Sequence, residues 1–121
     1  MKKLLLILAL TVILPSMAYA KCDGGTELEG KNKHVYCVSN QDMNWWSAFA
    51  WCKANERPLV TLDQACNNQN WSGGCKNMQI GINNRGWSAI ASGDSNAYLL
   101  PFTYGDVVPR PRTVGARALC Y

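Results

Sequence analysis

An α+β fold stapled by disulfides is what this 121-residue sequence predicts. Three observations predict it. Helical spacing stands out in one early stretch, where Trp45, Ala48 and Cys52 recur at i, i+3 and i+7 and Phe49 widens the apolar stripe. Short β-rich runs follow to the end of the chain, separated by Gly, Asn and Pro. The cysteine in the predicted helix, Cys52, is far in sequence from Cys120 at the penultimate residue. A helix bonded to the closing strand is the expected skeleton.

The first 20 residues read as a secretory signal peptide. Lys2 and Lys3 precede an apolar run from Leu4 to Leu14, and Ala18-Tyr19-Ala20 supplies the small-x-small end that a signal peptidase requires. That run is too short to cross a membrane, which takes about 20 apolar residues. Lys21 stands where lipid modification of Cys22 would need a small residue. The remainder, residues 21–121, is one domain in size, with no repeat, linker or second apolar span. Without Lys2 and Lys3 it carries ten basic against eight acidic groups, a balance too even for a nucleic-acid reader that works by phosphate neutralisation. The short lysine-led leader points to the periplasm or exterior of a Gram-negative bacterium.

Six cysteines in an exported domain imply a disulfide framework. The competing explanation, a metal site, lacks its pattern: there is no C-x-x-C pair and His34 is the sole histidine. No metal or other cofactor is expected. Sequence alone leaves fifteen pairings open. Proximity suggests Cys22–Cys37 and Cys66–Cys75, which would leave Cys52–Cys120.

The elements follow in order. Lys21 to Lys33 is polar, with Gly24-Gly25 and Gly30 marking turns, and His34 to Val38 alternates as a strand does. Ser39 to Asp42 offers helix caps, Asp42 above all, for a helix from about Met43 to Asn55 that Pro58 prevents from continuing. Leu59 to Leu62 reads as a short buried strand, and Asp63 to Cys75 as a loop or short helix. Met78 to Ile82 is a strand, Asn83-Asn84-Arg85-Gly86 a turn, and Trp87 to Ile90 the returning strand. Ala97 to Leu100, Val107-Val108 and Ala116 to Tyr121 supply further strands, with Pro101, Pro109 and Pro111 as breaks.

These residues carry a resemblance. The order Cys22, Cys37-Val38, Trp45-x2-Ala48-x3-Cys52, Leu59-Val60-Thr61-Leu62, Gln79-Ile80-Gly81-Ile82, Gly86-Trp87 and Ala118-Leu119-Cys120 resembles a C-type lectin-like domain over residues 22–121. The resemblance implies the C-type lectin-like fold, with one or two helices and short antiparallel strands. It implies a terminal cysteine bonded back to the helix and an N-terminal hairpin held by Cys22–Cys37. Gln79 stands where that family has the tryptophan of its W-I-G-L strand. The family's calcium-binding triplets and its Trp-Asn-Asp are missing, and after Asp63 only Asp94 and Asp106 remain as carboxylates. A compact, calcium-independent version is therefore expected.

Candidate ligand residues sit in the predicted loops. Trp71 lies in the polar stretch from Asn67 to Gly74, where a ring can stack on a sugar or cap its own loop. Asn83, Asn84 and Arg85 offer amide and guanidinium groups to hydroxyl or carboxylate ligands, and Trp87 beside them reads either as ligand contact or as core. Arg110 and Arg112, flanked by prolines, suit an acidic partner if they point outward. Trp45 belongs to the inward stripe, whereas Trp46 and Trp51 lie off it. Nothing marks a nucleophile, base and orienting acid, so an enzyme is not expected. The reading is a secreted or periplasmic binding module for a glycan or a protein. The alternatives are a structural or assembly subunit of an envelope or surface-appendage complex, and a small periplasmic enzyme inhibitor.

Overall fold

The computed structural model describes residues 21–66, 80, 84–103 and 106–121. Residues 1–20 and all of the strand expected at 78–82 except Ile80 lie outside the described residues, as do Trp71, Cys75 and Asn83. What is described is a mixed α+β fold. It runs β1 (Gly25–Glu29), β2 (Val35–Met43), α1 (Trp45–Ala54), α2 (Leu62–Cys66), β3 (Arg85–Ser92), β4 (Asn96–Pro101), β5 (Val108–Pro111) and β6 (Ala116–Cys120). The six strands form one sheet in the order β1-β2-β6-β3-β4-β5, antiparallel throughout except where β3 runs parallel to β6.

Strand alternation divides the core between the two faces of this sheet. Ala116, Ala118 and Cys120 of β6, with Cys37, Trp87, Ala97 and Leu99, form one cluster with Ala48 and Cys52 of α1. Leu119, Tyr36, Val38, Leu100 and Phe102 form the other, with Val60, Leu62, Ala65, Cys66 and Ile80. Small residues on both sides, Ala48 against Ala116 and Ala118, let α1 lie close to the sheet. The Cys52–Cys120 bond then closes a separation of 68 residues, with the two Cα atoms 5.5 Å apart. Cys22–Cys37 holds the β1–β2 hairpin. Among the described residues no cysteine is free; the expected partner of Cys66, Cys75, lies outside them. Gly86 is required where β3 passes the core, because a Cβ there would come 2.5 Å from the Phe102 ring and 2.8 Å from Leu119 Cβ.

Several expectations are corrected. β2 runs on through Ser39 to Met43, and the helix cap is Asn44, whose side-chain oxygen accepts from the Ser47 amide at 2.9 Å. Asp42 is not a cap; it forms an ion pair with Arg117 at 3.1 Å. Gly25–Glu29, read as turn and polar coil, is an edge strand. Leu59 to Leu62 is no strand: Leu59 makes an isolated bridge to Cys120, and Leu62 opens α2. Thr61 and Gln64 exchange side-chain to backbone hydrogen bonds at 2.9 and 3.1 Å there, a capping box that T-x-x-Q encodes. Arg85 and Gly86 belong to β3 and not to a turn.

Pro109 and Pro111 do not break the chain either; both lie within β5. The Arg112 amide donates to the Ser95 carbonyl. By alternation Val108 and Arg110 therefore face β4, while the two prolines face the open edge, where no donor is missed. A sheet edge without N–H groups is also protected from pairing with another chain.

Beside the hairpin, His34 stacks on Tyr121 with centroids 3.6 Å apart and meets the edge of Tyr36 at 4.8 Å. The His34 Nε2 lies 2.8 Å from the Tyr121 carbonyl. Burial pushes the Tyr36 phenol above the ordinary 10.0; the Asn32 amide donating to its oxygen opposes this, and nearby Tyr121 adds to it. Below the ordinary value both folded and unfolded chains keep the proton, and the contribution of Tyr36 is complete. Above it the unfolded chain ionises first, so stability is expected to fall as pH rises past 10.0. Urea unfolding between about pH 9 and about pH 11 checks this, with a flatter profile expected for Tyr36→Phe. Identical slopes for both proteins would contradict it.

Candidate functional site

Helix α1, WWSAFAWCKA, has only two polar side chains, Ser47 and Lys53, yet only Ala48 and Cys52 of the helix are buried. A helix that is apolar on nearly every side needs cover on more than one side. The sheet covers one. On the other, Trp46 is 53% exposed and Phe49 38% exposed. Phe49 is thus not part of the buried stripe; it stands on its outer flank.

These two rings wall a groove of about 600 Å³. Trp46, Phe49, Ala50 and Lys53 form the helix side, and Arg57, Pro58, Leu59, Thr61 and Ala89 form the floor and far side. Thr61 also lines a smaller depression of about 170 Å³ with Leu62, Asp63 and Ile90. Ile90 is exposed because the register of β3 against β4 shifts between Trp87 and Ala91. Thr61 therefore joins the groove to a second depression in which Leu62 and Ile90 are apolar and Asp63 is charged.

The aromatic wall is held in place from behind. The Trp45 indole donates to the Ser88 carbonyl at 2.9 Å, and the Arg112 guanidinium lies over its ring at 4.5 Å. Phe49 and Trp46 each meet Trp45 edge-on, at 4.6 and 6.0 Å between centroids. At the groove's end, Arg57 is fixed by three partners: Glu27, the Lys21 carbonyl and the Val35 carbonyl. Its charge is largely spent inside the fold, which leaves Lys53 as the open cation of the rim among the described residues.

The residues singled out in the sequence do not converge. Trp71 and Asn83 lie outside the described residues. Asn84 is half-buried, with its carbonyl accepting from the Phe102 amide. Arg85 is exposed at the start of β3, level with Pro101, while Arg110 is exposed on β5 level with Ala97. Four residues of β4 separate those levels, about 13 Å along the sheet. Trp87 is a core residue with no exposed surface, its indole donating to the Met43 carbonyl at 2.9 Å. Arg112 is not held outward: besides covering Trp45, it donates to the Asn96 and Gly93 carbonyls and ties the β3–β4 turn to β5. The basic segment is thus divided among three different tasks, since Arg117 pairs with Asp42.

No protein-family model, no curated protein and no solved structure matches the chain. Its site has to be read from its own chemistry. The groove was legible in one feature of the sequence: α1 carries more apolar surface than one contact face can use.

Proposed function

We propose that this is an exported, calcium-independent binding module of the C-type lectin-like kind, which docks a protein partner through the groove on α1. The exposed pair Trp46 and Phe49 carries the reading. A contiguous apolar patch with a preorganised tryptophan is the chemistry of a protein contact, where large rigid rings supply most of the binding energy. A sugar would need several hydrogen-bonding groups, and this groove offers few.

The likeness to C-type lectin-like domains is supported by the bond from α1 to the last strand and by the disulfide-held N-terminal hairpin. The disulfides fit an oxidising compartment, and among the described residues no helix is long and apolar enough to cross a membrane.

Capture from an envelope fraction in the presence of chelator tests this. The wild-type protein is expected to retain one stoichiometric protein that Phe49→Glu does not, with the variant still unfolding in a single cooperative transition. Glycan binding that depends on Trp46 would overturn the protein reading. The assembly-subunit reading shares the same groove; a partner that co-purifies through gel filtration and does not exchange would favour it.

A further inference from the structure

We propose that the cleft between Trp51 and the β2 bulge is a second binding site, for the pyranose ring of a neutral saccharide, which it would hold without a metal. This goes beyond the protein-docking reading and does not depend on it. Trp51 lies on the opposite flank of the buried Ala48–Cys52 stripe from Phe49, so cleft and groove are separate surfaces.

The cleft exists because of two local devices. The first fixes the ring. A Cβ on Gly25 would come 2.7 Å from Trp51 Cη2 and 2.5 Å from the Val38 carbonyl, so the indole rests directly on backbone that only glycine leaves open. The second is a bulge. Val38 pairs with Leu119 and Asp42 with Arg117, so four steps on β2 match two on β6. Ser39 turns inward to pin it: its hydroxyl accepts from the Ala118 amide at 2.8 Å and donates to the Gln41 carbonyl at 2.7 Å. The surplus residues, Asn40 and Gln41, are thereby presented to solvent beside Trp51.

The result is a notch of about 370 Å³ lined by Gly24, Ser39, Asn40, Gln41, Met43 and Trp51. Its size suits one sugar ring. Asn40 is oriented by the Thr26 hydroxyl, which donates to its side-chain oxygen at 2.9 Å and leaves its NH₂ available. Gln41 is exposed and Trp51 half-buried, and both line the notch. Two amides supply donors and acceptors in pairs, as neighbouring hydroxyls require. Trp51 and Met43 supply apolar surface for the C–H groups of the ring. Among the described residues no charged side chain lines the notch, so an anionic ligand finds no counter-charge there and a purely apolar one wastes the amides. A neutral polyol with an apolar side satisfies all of these groups together.

The test is titration of the oxidised, exported protein with the methyl glycosides of glucose, galactose, mannose and N-acetylglucosamine, to about 50 mM, which reaches millimolar affinities. Indole N–H resonances are followed by NMR, with Trp51→Phe assigning its signal. At least one glycoside is expected to shift the Trp51 indole saturably, with chelator present. Asn40→Ala and Gln41→Ala, both at exposed positions, should each weaken that response about fivefold, the effect of one lost hydrogen bond. Trp46→Ala should leave it unchanged. The proposal is overturned if no glycoside moves the Trp51 signal, if both amide variants respond as the wild type does, or if the response is lost in Trp46→Ala.

Discussion

Replacing Cys52 and Cys120 together by alanine is expected to cost about 4 kcal/mol of stability, more than removal of the hairpin disulfide. The bond closes 68 residues of sequence, and releasing it gives the unfolded chain the largest gain in freedom. It also frees α1 from β6, and both sulfurs are fully buried in the cluster that joins them. The Cys22–Cys37 bond spans only 15 residues and holds an edge hairpin, so its removal should cost less, about 3 kcal/mol. Urea unfolding of the two double variants, each oxidised, gives the order. An equal or larger loss for the hairpin bond would contradict the role assigned to the helix staple.

The second large effect is expected at Trp87. Its side chain is the largest among those fully buried, enclosed between α1 and the centre of the sheet, and its indole satisfies the Met43 carbonyl just before the helix begins. Trp87→Ala removes a whole core ring, for about 3–5 kcal/mol, and leaves that carbonyl without its partner. A fall in thermal midpoint of about 15 °C or more is expected for a domain of this size. Trp87→Phe keeps most of the packing but loses the hydrogen bond, and about 1–3 kcal/mol is expected from that alone. A loss below about 1 kcal/mol for the alanine variant would contradict the enclosure.

Much of this framework was legible in the sequence because it rests on local periodicity and on cysteines. The positions of Ala48 and Cys52 on one helix face and the strands around Trp87, Ala97 and Leu119 follow from spacing, and Cys22–Cys37 from proximity, whereas Cys52–Cys120 was the pair left over and the one the family resemblance implies. What was not legible depends on partners distant in sequence. Asp42 looks like a cap, but Arg117 claims it. Pro109 and Pro111 look like breaks until β5 is known to be a sheet edge. Gly25–Glu29 lacks a strand's apolar pattern because an edge strand whose side chains are largely in water does not need one.

The site shows the same division. Isolated charged and aromatic residues in loops suggested ligand contacts, yet Trp87 and Arg112 are needed by the fold itself. Register shifts in β2 and β3 place Asn40, Gln41 and Ile90 on the surface, and no local pattern announces a shift that β6 and β4 impose. Trp46 and Phe49 were in plain view, but the i, i+3, i+4 spacing assigns Phe49 to the buried stripe. Only the actual rotation of α1 on the sheet shows it outside.

The most direct test of the groove as the docking site is photo-cross-linking in the intact envelope. A photoreactive phenylalanine derivative replaces Trp46, and a control label replaces Arg110, which is exposed on the far edge strand. The account predicts one discrete protein adduct from position 46 that persists in chelator, is lost in the Phe49→Glu background and is absent from position 110. An adduct from position 110 without one from position 46, or an adduct at 46 that requires calcium, would contradict it.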